Sequence, residues 1–172
     1  MSSAGIASPG KLSHYPSTLP LSVRSESGYN IKMGQAKPLQ ILFVCVENAC
    51  RSQVAQAFAA YYGQGRVEAQ SAGSRPRGSV DSTAIAVMRE RGIDMSAHTS
   101  KGLADLPSIR WDAIVTMGCG DVCPQLPATR RIDWQIPDPA RQPVETYRAI
   151  CDLIERHIKA LLEELSLSRV KQ

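Results

Sequence analysis

From Leu39 to the end of the chain, short apolar runs alternate with segments of helical period. Few architectures accommodate that alternation. Residues 40–45 (QILFVC) read as a strand buried on both faces. Residues 52–62 place Val54, Ala55, Phe58 and Tyr62 at helical spacing, and Gly63 suits a helix stop. A second strand is expected at 66–71. Asp81 or Ser82 can cap the next helix, which carries Ile85, Val87 and Met88 and ends near Gly92. A helical turn fits 103–106, a third buried strand fits 112–117 (DAIVTM), and a fourth fits 131–134. Pro143 opens a last helix, where a missing N–H costs nothing. Val144, Tyr147, Ile150, Ile154, Ile158 and Leu161 share one face of that helix.

This order predicts an α/β fold, a three-layer sandwich with a mainly parallel four-stranded sheet. Ligands in such folds sit beyond the carboxyl ends of the strands. The segments after Cys45 and after Met117 each follow a predicted strand, so both fall on that edge. The length of 172 residues suits one domain with a real core, and 5% aromatic content leaves aliphatic residues to fill it. Residues 1–38 are rich in Ser, Pro and Gly and read as a disordered arm. The domain is expected at 39–166, with a tail at 167–172. A net charge of +4 tolerates anions but carries no basic block with interleaved aromatics, so no nucleic acid is expected. No apolar run is long enough to span a membrane. Cys45, Cys50, Cys119, Cys123 and Cys151 follow no secretory signal, which points to a reducing, cytoplasmic setting.

The sharpest chemical signal is Cys45-Val46-Glu47-Asn48-Ala49-Cys50-Arg51-Ser52, between the first strand and the first helix. A loop so placed gathers backbone N–H groups at one point, and the helix N-terminus adds positive potential. The whole run from Val46 to Ser52 is therefore a candidate cradle for a tetrahedral oxyanion. The same field favours a nucleophilic thiolate at Cys45. Arg51 offers a planar fork for two oxygens, Ser52 can donate to the thiolate, and Asn48 tolerates a left-handed backbone. Glu47 would repel an anion unless its side chain faces solvent. The competing reading is a structural cysteine at a strand end followed by an ordinary helix start.

This loop resembles the signature of the low-molecular-weight protein tyrosine phosphatases and of the arsenate reductases built on the same fold. The likeness spans about residues 39–165 and includes Ser71-Ala72-Gly73, the stretch GIDMSAHTS at 92–100, and Asp138-Pro139. By itself Asp138-Pro139 is the composition of a surface turn. The resemblance implies that Asp138 is a general acid that protonates a departing oxygen. Ala140-Arg141-Gln142 follows, where phosphatases of this family typically carry aromatics, and this favours a bare anion such as arsenate or phosphate.

Gly118-Cys119-Gly120-Asp121-Val122-Cys123 holds a cysteine pair close enough to bridge. Taken alone, the pair can be inert or, less plausibly given its spacing, ligate zinc with Cys45 and Cys50. The likeness to arsenate reductases implies a relay. Cys119 attacks Cys45 once arsenate is joined to it, Cys123 attacks Cys119, and a thioredoxin-like or glutaredoxin-like protein reduces the resulting disulfide. No metal and no cofactor is expected. Cys50 can alternatively bridge Cys45 and shield it from over-oxidation. Cys151 reads as a packing residue, and His98 shows no evident partner. The runner-up expectation is a phosphatase for phosphotyrosine or small phosphoesters, which would not need Cys119 and Cys123.

Overall fold

The computed structural model describes residues 37–118 and 125–170. The order of elements is β1 (Leu39–Cys45), α1 (Arg51–Gly63), β2 (Val67–Gly73), α2 (Ser82–Glu90), a 3-10 turn (Leu103–Asp105), β3 (Trp111–Thr116), β4 (Ala128–Asp133) and α3 (Val144–Val170). The strands form one sheet in the order β2-β1-β3-β4, and every pairing is parallel. The α/β sandwich expected from the alternation is therefore present. Residues 1–36 of the expected arm, and both Cys119 and Cys123, lie outside the described residues.

β1 is central, and all seven of its residues are buried. This explains why its sequence is an unbroken apolar run rather than an alternating one. Ile41, Phe43 and Cys45 face the larger core, formed with Val54 and Phe58 of α1, Met88 of α2 and Ile154 and Ile158 of α3. Leu42 and Val44 face the other side, where Trp111, Ile114 and Ala72 lie beneath Leu103, Leu106 and Ile109. The two outer layers are thus unequal. One is helical, while the other, among the described residues, is a 3-10 turn with extended chain.

The local signals act as their chemistry requires, with three displacements. Asp81 caps α2 through its carboxylate, which accepts from the Thr83 and Ala84 N–H groups at 2.8 and 3.2 Å. Gly63 remains inside α1, and the left-handed residue that ends the helix is Gln64, with φ 47°. β4 starts three residues before the expected position because its half-buried and exposed residues alternate, as on an edge, so no apolar run marks it. α3 continues to Val170, past the expected end of the domain at 166. Trp134 is a core residue, stacked on His157 and tilted against Phe43.

Candidate active site

Cys45 ends the central strand and Arg51 begins α1, so the loop between them sits at the carboxyl edge of the sheet. The carbonyls of this loop are turned outward and bonded to neighbouring chain. Cys45 O accepts from Ser74 N at 3.2 Å, Val46 O from Arg75 N at 2.8 Å, Glu47 O from Arg77 N at 3.0 Å, and Ala49 O from Asp81 N at 2.9 Å. The Asn48 carbonyl accepts from the Gln53 amide at 3.1 Å. In a trans peptide the N–H points opposite to the C=O. Outward carbonyls therefore turn the N–H groups of the loop inward, toward the enclosed side. Gly73 permits this packing, because a Cβ there would stand 2.7 Å from Val46 O and 2.9 Å from Asn48 N. The first turn of α1 holds no acidic residue, so nothing there offsets its positive end.

The inner side chains are mutually satisfied. Asn48, at φ 49°, donates to Ser52 Oγ and Ser71 Oγ, both at 2.9 Å. Its Oδ1 accepts from Gln53 and from Lys101 N, both at 2.8 Å. Because Ser52 Oγ accepts from Asn48, its own proton is free for the Cys45 sulfur, 3.0 Å away. Gln53 continues outward to the Thr99 carbonyl and, through Oε1, to His98 Nδ1 at 2.9 Å. His98 thus has a partner that the sequence did not disclose. Burial, reinforced by the charge of Lys101, holds its pKa below the usual histidine value.

Arg51 is buried and held by two protein acceptors. Nη1 donates to the Ile136 carbonyl at 3.1 Å and Nη2 to Asp138 Oδ2 at 2.7 Å. The structure therefore brings together Cys45, Arg51 and Asp138, although 87 residues separate the last two in sequence. Asp138 stays half exposed, and its Oδ1 accepts from Ala140 N in an Asx-type turn. Glu47 projects to solvent near Arg77, as its charge demands. Cys50 and Cys151 are buried free thiols, and burial pushes both up, Cys151 to about 11. Both are thus suited to packing rather than attack. Among the described residues no cluster of His, Cys, Asp or Glu could hold a metal ion.

The small pocket that Cys45 lines shares Glu47, Arg77, Asp81 and Asp138 with a cleft of about 680 Å³ that also takes in Arg141 and Tyr147. Its wall mixes both signs of charge. The aromatic ring there, Tyr147, donates its hydroxyl to Asp81 at 3.1 Å, and burial and that contact raise its pKa to about 12. Sequence reasoning missed Gln53, Ser71 and the Ile136 carbonyl. Ser71 lies in the Ser-Ala-Gly stretch that carries part of the family likeness, but a backbone acceptor such as Ile136 O leaves no mark in composition.

A thiol at the tip of a parallel strand, with inward N–H groups and an anchored arginine beside it, is an arrangement that can cradle an oxyanion at the edge of a doubly covered sheet. The family model for low molecular weight phosphotyrosine protein phosphatase matches residues 40–171, and the chain belongs to that family. It is 35% identical over 130 residues to the glutaredoxin arsenate reductase of Synechocystis, an alignment covering 74% of this chain and 98% of that one. An arsenate reductase solved in its phosphate-binding state superposes with TM-score 0.67 and 31% identity, covering 74% of this chain and 98% of its own. The thioredoxin-dependent arsenate reductase of Corynebacterium glutamicum superposes with TM-score 0.64 and 33% identity, covering 77% and 64%.

Proposed function

We propose that this protein is an arsenate reductase with Cys45 as its nucleophile. The observation that carries the reading is the loop itself. Its carbonyls are tied outward around a buried thiol, and Arg51 is fixed beside it. Arsenate binds in the ring of N–H groups from residues 46–51 and on the Arg51 fork. The Cys45 thiolate attacks arsenic, with Ser52 as its hydrogen-bond donor, and Asp138 protonates the departing oxygen.

Reduction then needs two electrons. Cys119 attacks the Cys45 sulfur, an S–S bond forms, and the electron pair of the S–As bond leaves on arsenic as arsenite. Cys123 attacks Cys119 and frees Cys45, and a dithiol protein reduces the Cys119–Cys123 disulfide. The relatives' names support both a thioredoxin-like and a glutaredoxin-like donor. A cytoplasmic setting fits, because every step starts from a reduced thiol. We take residues 39–166 as the catalytic domain, carrying the whole site.

A second reading keeps one observation in its favour. Cys45, Arg51 and Asp138 converge among the described residues, and that trio is enough for hydrolysis of a small phosphoester. Arsenate turnover with thioredoxin, and separately with glutaredoxin and glutathione, is the test, with aryl phosphate hydrolysis measured alongside. Cys45→Ser should abolish both activities while the fold persists. Cys119→Ser should stop arsenate reduction and leave hydrolysis nearly intact. Cys123→Ser should release one arsenite per chain and stall with Cys45 joined to Cys119. Normal reduction by a Cys119/Cys123 double variant would sink the relay and favour the phosphatase.

A further inference from the structure

Gly118 follows β3 at φ +68°, and the space beside its Cα is taken by Arg51. A Cβ built there lies 2.8 Å from Arg51 Nη1 and 3.8 Å from Cζ. The next nearest atom is the Ile136 carbonyl oxygen at 4.0 Å, the acceptor of that same Nη1. The guanidinium is therefore seated between three features: the bare Cα of Gly118, the Ile136 carbonyl, and the Asp138 carboxylate.

We infer that Gly118 is a positioning residue for the oxyanion clamp, its missing side chain being the seat that fixes the Arg51 guanidinium. This rests on the proposed role of the Cys45 loop as the oxyanion site. The physical argument turns on what yields when a side chain is added. The backbone on either side of the seat is tied down, with Met117 N bonded to Val44 O at 2.8 Å and Ile136 N to Trp134 O at 2.9 Å. The guanidinium is the end of a long side chain, so it moves first. Moving it lengthens both of its anchoring bonds and swings its remaining N–H groups away from the anion. The cost then falls on ligand affinity more than on stability.

Position 118 also carries a left-handed backbone, which any L-residue strains. That effect is separable, because Gly92 has φ +74° and nothing within 4 Å of its missing Cβ. Gly92→Ala carries the strain without the collision. Gly118→Asn keeps the collision with a residue that accepts left-handed backbone.

The test is titration of inorganic phosphate, read as competition with arsenate and by direct calorimetry, together with thermal melting. Gly118→Ala and Gly118→Asn should weaken phosphate binding by about tenfold to a hundredfold, the scale of an ångström-sized misplacement. Gly92→Ala should lower the melting temperature and leave phosphate affinity unchanged. In an Arg51→Lys background, adding Gly118→Ala should weaken phosphate little further, since the group it displaces is already gone. Wild-type affinity in both Gly118 variants, full additivity with Arg51→Lys, or failure of both variants to fold would overturn the assignment. A wild-type protein that binds no phosphate would instead sink the oxyanion-site reading beneath it.

Discussion

Arg51 donates through Nη1 to Ile136 O and through Nη2 to Asp138, which leaves Nε and one further proton on each Nη for an anion. A lysine keeps the charge but has no planar fork, so it cannot serve both protein acceptors and two anion oxygens together. Arg51→Lys should therefore lose about a hundredfold in turnover, comparable to removing one oxyanion donor. Phosphate affinity should fall with it, and unchanged affinity by calorimetry would remove Arg51 from the clamp. At this scale the sequence was informative where chemistry is local. The C-x5-R spacing and the adjacent serine mark residues that one short strand-to-helix turn brings to the same pocket, with Ser52 bonded to the Cys45 sulfur. It was silent on His98, whose partner Gln53 lies 45 positions away, and on Ile136, which acts through its backbone.

At the scale of elements, α2 and the Cys45 loop share one residue. Asp81 caps α2 with Oδ1, accepts from Tyr147 of α3 with Oδ2, and donates its backbone N–H to Ala49 O in the loop. Asp81→Ala should cost about 1–2 kcal/mol by loss of the cap, whereas Asp81→Asn, an equally good cap, should cost little. Urea unfolding of the two variants separates these outcomes. The cap was legible because capping depends on residue type and position alone. β4 was placed late because an edge strand with alternating exposure lacks the apolar run that announced β1 and β3.

His98 brings pH into the same network. It joins the loop through Gln53, and its pKa is depressed chiefly by burial. The unfolded chain then binds a proton more readily than the folded one, so stability rises with pH through this window. The contribution is present above the ordinary histidine value, 6.5, and is lost as pH falls through the depressed folded value. His98→Gln should flatten the fall of stability below the ordinary histidine value relative to wild type. An identical acid slope in the variant, by thermal melting across that range, would show that His98 is not its source.

Across the whole molecule, the two sheet faces divide the work. The helical face buries Phe43, Phe58, Ile154 and Ile158 completely or nearly so, and Ile154→Ala there should cost about 2–5 kcal/mol. The opposite face is closed by half-buried Leu103, Leu106 and Ile109 in a 3-10 turn and extended chain. That thin layer is also the buttress of the site. Lys101 N holds Asn48 Oδ1 at 2.8 Å, Ser100 Oγ holds Glu47 O at 3.0 Å, and Lys101 O accepts from Gly73 N at 2.9 Å. Segments with few buried contacts open locally at lower free energy than the core. Leu106→Ala removes a half-buried side chain, so its global cost should be only about 1 kcal/mol, well under that of Ile154→Ala. Its effect on the loop should be disproportionate, because freeing residues 100–106 releases the Asn48 and Glu47 anchors. Hydrogen exchange should show faster exchange at Lys101 and Gly73 with β1 still protected, and phosphate affinity should drop several-fold. Ile154→Ala should show the reverse, a lower melting temperature with phosphate affinity retained. If Leu106→Ala left exchange at Lys101 and phosphate binding as in wild type, the thin layer would be cover for the sheet and no part of the machinery that shapes the loop.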